Sequence, residues 1–380
     1  MIRYPSAVRW AAIGCALSIA PLFASAQNYT QTNLVSDISG MAASLDPNLK
    51  NPWGLARGAS SPWWPNNEGT GTATLYTGSG TIVPLVVTIP NPAGSSPSQP
   101  TGMVFNGTAD FVINAEATPS PALFIFATKE GSIAAWNEGL ANIEAAVTEV
   151  SENGSVFTGL TWVELNGAHF LLAANFAGRS VEAFDTNFKR VPLAPWQFVN
   201  DAIPQDYAPY NVQAVGDNVV VTWAKQNASK TAADDSSCGG PNGCGFVDIF
   251  TKGGVWIAHL LNGPQLQAPW GVALAPQDFG FFSHDLLIGN RASGTIAAFS
   301  WRDGQFLGFL EDANNNPIVL SGLWAIEFDN RGNNQFGVGS TTLTSTGPAL
   351  FFAAGINNYA DGLFGALTPT AAQLNAEDHE

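Results

Sequence analysis

The chain has 380 residues, with 30 acidic against 14 basic side chains and a formal net charge of −16. A negative charge of this size excludes non-specific binding to nucleic acid or to an anionic membrane. The 39 glycines and 24 prolines, with only 12% charged residues, favour short strands and many turns over a helical fold.

The first segment has the three parts of a secretory signal. Two arginines lie within the first nine residues, residues 10–23 form an apolar run, and residues 24–26 (Ala-Ser-Ala) fit a cleavage site. We therefore expect residues 1–26 to be removed after Ala26 and the protein to be secreted or periplasmic. The apolar run is too short to span a bilayer and no later stretch is long enough, so we predict no membrane span.

A short motif, Pro-x-Gly-apolar or a variant of it, recurs six times in the rest of the chain. Successive copies are 48 to 60 residues apart, which is the length of a propeller blade. The copies begin at Pro52, Pro100, Phe157, Pro209, Pro269 and Leu323. The spacing predicts six blades.

Each copy is followed by an apolar strand, a turn rich in Gly or Asn, and another strand, a pattern typical of a β-hairpin. We place these hairpins, as the second and third strands of the blades, at 73–85, 123–137, 171–185, 219–250, 286–300 and 350–368. Residues 85–90 then form a fourth strand in the first blade, and residues 305–312 do so in the fifth.

A spare strand at 32–39 precedes the first copy, and the last copy lacks a fourth strand. If the spare strand completes the last blade, the ring closes without a free edge. The prediction is an all-β fold, a six-bladed β-propeller with four-stranded blades over residues 27–368. Residues 369–380 are a polar C-terminal tail.

The repeated unit resembles an NHL-type blade, in which Pro-x-Gly-apolar-Ala precedes a hairpin whose strands end in Asp or Asn. With NPWGLA, DAIPQDYAPYNVQAV and APWGVALAP, the whole chain after the signal also resembles a family of secreted propeller proteins known mainly as conserved hypotheticals. The resemblance implies the propeller fold and supplies no catalytic residues. Propellers include lactonases, lyases, dehydrogenases and binding scaffolds, so the fold leaves the function open.

The start of the innermost strand and the turn between the second and third strands should meet at one mouth of the central channel. The position before the Gly of the motif is aromatic in four copies: Trp53, Tyr210, Trp270 and Trp324. They could stack on a sugar or aromatic ligand. Alternatively, they are structural wedges between blades.

The same turns carry four basic residues, Lys129, Arg179, Lys225 and Arg291, in four different copies. In an acidic protein such a basic collar would attract an anionic ligand, namely a carboxylate, a uronate or a phosphate. The alternative is that these side chains are simply solvated at hairpin tips.

Oxygen-bearing side chains at the turns and in one inner strand are candidates for a Ca²⁺ site, the one cofactor considered for the central channel. They are Asn175, Asn290, Asn357, Asp361 and Glu327. The alternative role of the asparagines is to support turn geometry. The chain has no Gly-x-Ser-x-Gly, His-Glu-x-x-His or Walker motif, so no catalytic residue is assigned.

Cys238 and Cys244 lie in an unusually long turn of the fourth copy, at about 225–245. Two close cysteines in an exported protein predict a disulfide, and the stapled loop should fold over the channel mouth. The favoured function is binding of a small anionic or glycan ligand, or a protein partner, at that mouth. The alternative is a metal-dependent hydrolase, lactonase or lyase with its site in the channel.

Overall fold

The computed structural model describes residues 28–94, 97–114, 119–328 and 348–370. The predicted signal and most of the predicted polar tail lie outside these ranges. The chain begins with β1 (Tyr29–Ser36) and the two-residue β2 (Ser44–Leu45), and then builds six antiparallel sheets in sequence order.

The first three blades take up residues 52–191. Blade 1 contains β3 (Pro52–Arg57), β4 (Trp63–Asn67), β5 (Thr72–Tyr76) and β6 (Ile82–Thr88). Blade 2 contains β7 (Pro100–Phe105), a side hairpin of β8 (Val112–Ile113) and β9 (Ser120–Pro121), and then β10 (Phe124–Thr128), β11 (Ser132–Trp136) and β12 (Val147–Ser151). Blade 3 contains β13 (Phe157–Leu165), β14 (Ala168–Asn175), β15 (Ser180–Phe184) and β16 (Arg190–Val191).

The last three blades complete the ring. Blade 4 contains β17 (Tyr207–Val215), β18 (Asn218–Lys225), β19 (Gly245–Thr251) and β20 (Trp256–His259). Blade 5 contains β21 (Pro269–Leu274), β22 (Leu286–Asn290), β23 (Ile296–Phe299) and β24 (Phe306–Phe309). Blade 6 contains β25 (Leu323–Phe328), β26 (Leu350–Ala354) and β27 (Leu363–Pro369).

Helical structure in the described ranges is confined to single turns. These are 3₁₀ turns at Asp235–Ser237 and Gly280–Phe282 and the turn α1 at Ile356–Tyr359. No helix in the described ranges has both the length and the apolar character needed to cross a bilayer. The six-bladed, all-β prediction is confirmed.

Ring closure uses the N-terminal strand. β1 pairs antiparallel with β27, from Tyr29 opposite Pro369 to Ser36 opposite Leu363, and so supplies the fourth strand of blade 6. The strand begins three residues earlier than predicted, and β2 adds a short parallel pairing outside it. Joining the first strand to the last blade protects both edges, which explains why the spare strand precedes the first repeat.

Blade 1 differs from the prediction. The sequence pattern predicts that residues 73–85 form the second and third strands, but they span β5 and β6, which are the third and fourth. The second strand is β4, whose sequence Trp-Trp-Pro-Asn-Asn contains residues that strands usually disfavour. It is nevertheless fully buried, and Asn66 bridges two blades by accepting from the Gly54 amide at 2.7 Å and donating to the Thr101 carbonyl at 2.8 Å.

In blade 2 the inner strand approaches its neighbour closely enough to require glycine at the motif. A Cβ on Gly102 would lie 2.4 Å from the backbone nitrogen of Leu160 in blade 3. We expect Gly102→Ala to lower the free energy of unfolding by about 3 kcal/mol, since backbone atoms must move apart. Gly253→Ala is the control, because its nearest heavy atom is 3.8 Å away, and it should change stability by less than about 0.5 kcal/mol. Urea unfolding measures both, and equal effects would contradict the close approach.

Candidate functional site

One mouth of the channel is lined by the residue that directly follows the second strand of each blade. We call this end the upper mouth. Its six residues are Glu68, Lys129, Phe176, Gln226, Arg291 and Gly355. The inner strands begin at the same end, so the variable residue of each Pro-x-Gly copy lies beneath this ring.

The aromatic residues of the motif pack on one another here. We call the set Trp53, Tyr210, Trp270 and Trp324 the aromatic plug. Each is at most 5% exposed. The Trp53 and Trp324 rings stack with centroids 3.6 Å apart, and Trp270 meets both nearly edge-on at 6.3 and 6.1 Å. Mutual packing is the arrangement expected of structural wedges, and stacking on a ligand stays a prediction.

Arg291 lies against this plug and is only 5% exposed. Its guanidinium carbon is 5.5 Å from the Trp324 ring centroid and 5.7 Å from that of Tyr359. Nη1 donates to the Tyr359 hydroxyl and Nη2 to the Asp235 carboxylate. Burial disfavours the charged form, but the neighbouring Tyr210, Tyr359 and Asp235 oxygens outweigh it, and the net pKa of Arg291 is raised. The group is therefore a permanent buried cation.

Two buried donors around the plug have no hydrogen-bond acceptor among the described residues. They are Nε of Arg291 and Nε1 of Trp53. Most buried N–H groups in proteins have a partner, and exceptions commonly mark a water or ligand position. The upper mouth therefore has unused capacity to bind an acceptor.

Lys129 is the second cation at the plug. Its Nζ is 6.0 Å from the Trp53 ring centroid and 3.1 Å from Oε1 of Glu68. Glu68 also accepts from Nδ2 of Asn51 at 2.9 Å and from Nε2 of Gln99 at 2.9 Å. Asn51 in turn accepts from Trp324 Nε1 at 2.9 Å, so the Lys129 ion pair is connected to the plug.

The other two predicted collar residues lie on the rim. Arg179 donates to the carbonyl of Tyr207 at 2.6 Å and to that of Pro204 at 3.1 Å. Lys225 pairs with Asp234 at 3.4 Å. Neither occupies the position directly after the second strand, so the structure brings only Lys129 and Arg291 of the four to the aromatic plug.

The long turn of blade 4 folds over this mouth. We call residues 226–244 the lid loop. A disulfide joins Cys238 to Cys244, as predicted. The Gly239 amide donates to Oε1 of Gln267 in blade 5 at 2.7 Å, and Asp235 reaches Arg291. The loop therefore crosses from blade 4 toward blade 5 above the plug.

The turn of blade 6 contributes Tyr359 through an unusual backbone. Asn357, Asn358 and Tyr359 have φ of 53°, 56° and 67°, in the left-handed region. Asn tolerates this region but Tyr rarely adopts it, and such conformations cluster at functional sites. The strained turn brings the Tyr359 hydroxyl to Arg291.

The predicted calcium ligands do not converge. Asn175 and Asn290 use their side chains to hold nearby backbone. Asn175 accepts from the Gly178 amide of its own turn at 2.9 Å, and Asn290 accepts at 2.8 Å from the Gln267 amide, in the segment that leads into β21. Asn357 donates to Asp361 at 2.9 Å on the outside of the blade 6 turn. Within the described residues, no three His, Cys, Asp or Glu side chains are grouped to hold a metal.

Glu327 lies in a different place, on the wall of the channel below the plug. The enclosed part of the channel here has a volume of about 20 Å³, and Asn211, Gln213 and Met103 also line it. The enclosed part has room only for water-sized groups. Glu327 is therefore separated by the plug from the other predicted ligands.

Three partners of the two cations at the upper mouth, Glu68, Asp235 and Tyr359, were missed from the sequence. Glu68 was missed because β4 was not recognised, although its position directly after a buried Asn-Asn pair is a usable signal. Tyr359 and Asp235 lie in turns with no counterpart in the other repeats. The disulfide loop is a signal for Asp235, but its contact with Arg291, 56 residues later, is tertiary.

Comparisons with known proteins agree on the fold. No protein-family model matches the chain. Two uncharacterised proteins of Acanthamoeba polyphaga mimivirus are 27% and 26% identical to it, covering 88% of this chain and 78% and 84% of their own. A solved streptogramin B lyase covers 91% of this chain and 99% of its own, with a TM-score of 0.50 and 12% identity. A structure of unknown function from Bacteroides thetaiotaomicron covers 90% and 76%, with a TM-score of 0.51 and 10% identity.

The shared feature is the propeller. At 10–12% identity the solved structures carry no residue assignments to this chain. Function must therefore be argued from the upper mouth itself.

Proposed function

We propose that this protein is an exported propeller that binds a small carboxylate-bearing ligand, such as a sugar acid, at the upper mouth. The observation that carries the proposal is Arg291, a cation only 5% exposed whose Nε has no acceptor among the described residues. Guanidinium groups bind carboxylates through two parallel hydrogen bonds, and such bonds are strong where water is excluded.

The surroundings of Arg291 favour an anion over a neutral ligand. Lys129 adds a second cation at the Trp53 face, and Tyr359 offers a hydroxyl next to the guanidinium. The aromatic faces of the plug provide an apolar floor beneath these polar groups. A polar anchor over an apolar floor is typical of small-molecule sites.

Export is part of the same proposal. The N-terminal pattern of residues 1–26 is that of a secretory signal, and the Cys238–Cys244 disulfide is of the kind that persists in oxidising compartments. The resemblance of the chain to a family of secreted propeller proteins is consistent with export.

Isothermal titration calorimetry of the purified chain with D-glucuronate and with D-glucose tests the binding proposal. We expect glucuronate to bind at one site and to raise the melting temperature, because a ligand that binds only the folded state stabilises it. Glucose has the same ring without the carboxylate and should not bind measurably. If glucuronate and the simple dicarboxylate succinate both fail to bind, or glucose binds equally well, the proposal is wrong.

A further inference from the structure

The two cations of the upper mouth have counter-ions of different character. Glu68, the partner of Lys129, is 13% exposed and is held by Asn51 and Gln99 as well. Asp235, the partner of Arg291, has a side chain that is 42% exposed and belongs to the lid loop. The Glu68 carboxylate is part of the wall of the mouth, whereas the Asp235 carboxylate belongs to a loop that lies over the mouth.

Asp235 accepts from only one of the two nitrogens on one edge of the Arg291 guanidinium. It accepts from Nη2, while Nε on the same edge of the guanidinium stays buried without an acceptor. Carboxylates pair best with this edge through both nitrogens at once. A free carboxylate that took both would form one more hydrogen bond than Asp235 does.

The middle of the lid loop makes few buried contacts with the rest of the protein. Gln226 and Cys244, at the two ends of the loop, are buried. Between them, residues 228–232, 235–237 and 241–242 are exposed, and the partly buried Ala233 and Cys238 pack against the central core. The disulfide closes the loop on itself rather than tying it to another blade. Segments with few buried contacts open at low free-energy cost.

We propose that Asp235 is a tethered carboxylate that occupies the ligand's anion subsite on Arg291, so that a ligand carboxylate displaces it and frees the lid loop. This inference rests on the proposed function. The tether acts as an intramolecular competitor present at high effective concentration, which weakens apparent ligand affinity. It would select ligands whose carboxylate can take both Nε and Nη2, namely small organic acids with an unhindered carboxylate.

Asp235→Asn tests the tether, with Asp234→Asn as the matched control. The control removes the same charge one residue away, and Asn preserves the cap that Asp234 makes to the Ser236 amide. We expect Asp235→Asn to bind glucuronate about tenfold more tightly than wild type, within the usual range of such couplings. Asp234→Asn should stay within about twofold of wild type.

Hydrogen exchange of the lid loop, residues 226–244, provides the second measurement. Glucuronate should speed exchange in the wild-type lid loop, and Asp235→Asn should speed it without ligand. Slower lid exchange on binding, or equal affinities for the two variants, would overturn the tether while leaving the proposed function intact. Absence of glucuronate and succinate binding to wild type would overturn the proposed function and the tether together.

Discussion

Arg291→Gln is expected to weaken glucuronate binding by at least about 30-fold, corresponding to roughly 2 kcal/mol or more. Gln is polar but shorter than Arg, and it has neither the charge nor the paired donors of the guanidinium. Because the site is buried against Trp324 and Tyr359, water does not replace the lost interaction. Calorimetry of wild type and variant measures the change.

The matched control is Arg302→Gln, an exposed arginine of blade 5. It removes the same charge from the whole protein and should leave affinity unchanged within about twofold. Arg291→Lys keeps the positive charge but lacks the paired donors of the guanidinium, so we expect its affinity for glucuronate to lie between those of wild type and Arg291→Gln. Circular dichroism establishes that each variant is folded. Wild-type affinity in folded Arg291→Gln would exclude Arg291 as the anion-binding group.

Trp324→Ala is expected to reduce the free energy of unfolding by about 3–5 kcal/mol. The ring stacks on Trp53 with centroids 3.6 Å apart and donates from Nε1 to Asn51 at 2.9 Å. Its loss would leave a cavity where four blades meet. It would also leave the Asn51 oxygen without its indole donor.

Trp196→Ala is the control for this effect, because that side chain is 57% exposed. Its removal should change the free energy of unfolding by less than about 1 kcal/mol. Urea unfolding of both variants decides whether the plug is a structural element. A loss of glucuronate affinity in Trp324→Ala with unchanged stability would instead favour the ligand-stacking role of these rings.

Blade 1 shows where local pattern is a poor guide to strand order. In residues 72–88 polar and apolar side chains tend to alternate and several are β-branched, so this segment by itself has the sequence pattern of a β-hairpin. β4 contains a proline and two asparagines, and its strand state depends on partners elsewhere. Asn66 is stabilised by Gly54 and Thr101, which lie 12 and 35 residues away. Propensity alone does not include those contacts.

The predicted basic collar shows that the sequence pattern also fails to specify where single side chains lie. All four cations lie at hairpin turns, but only Lys129 and Arg291 follow the second strand directly. A shift of one residue at a strand end turns the side chain to another side of the sheet. Lys225 is the last residue of its strand and Arg179 is three residues further along its turn, so both end on the rim.

What the sequence by itself determined is the repeat: six copies at blade-length spacing, a spare first strand, and a cysteine pair in one long turn. These features are local or periodic, and strand pairing within a blade follows from them. Only the tertiary structure decided that Glu68, Lys129, Asp235, Arg291 and Tyr359 surround one plug of aromatic rings. These residues come from five different blades, and ring closure alone brings their turns together, because no local pattern specifies distances between turns that are more than 50 residues apart in sequence.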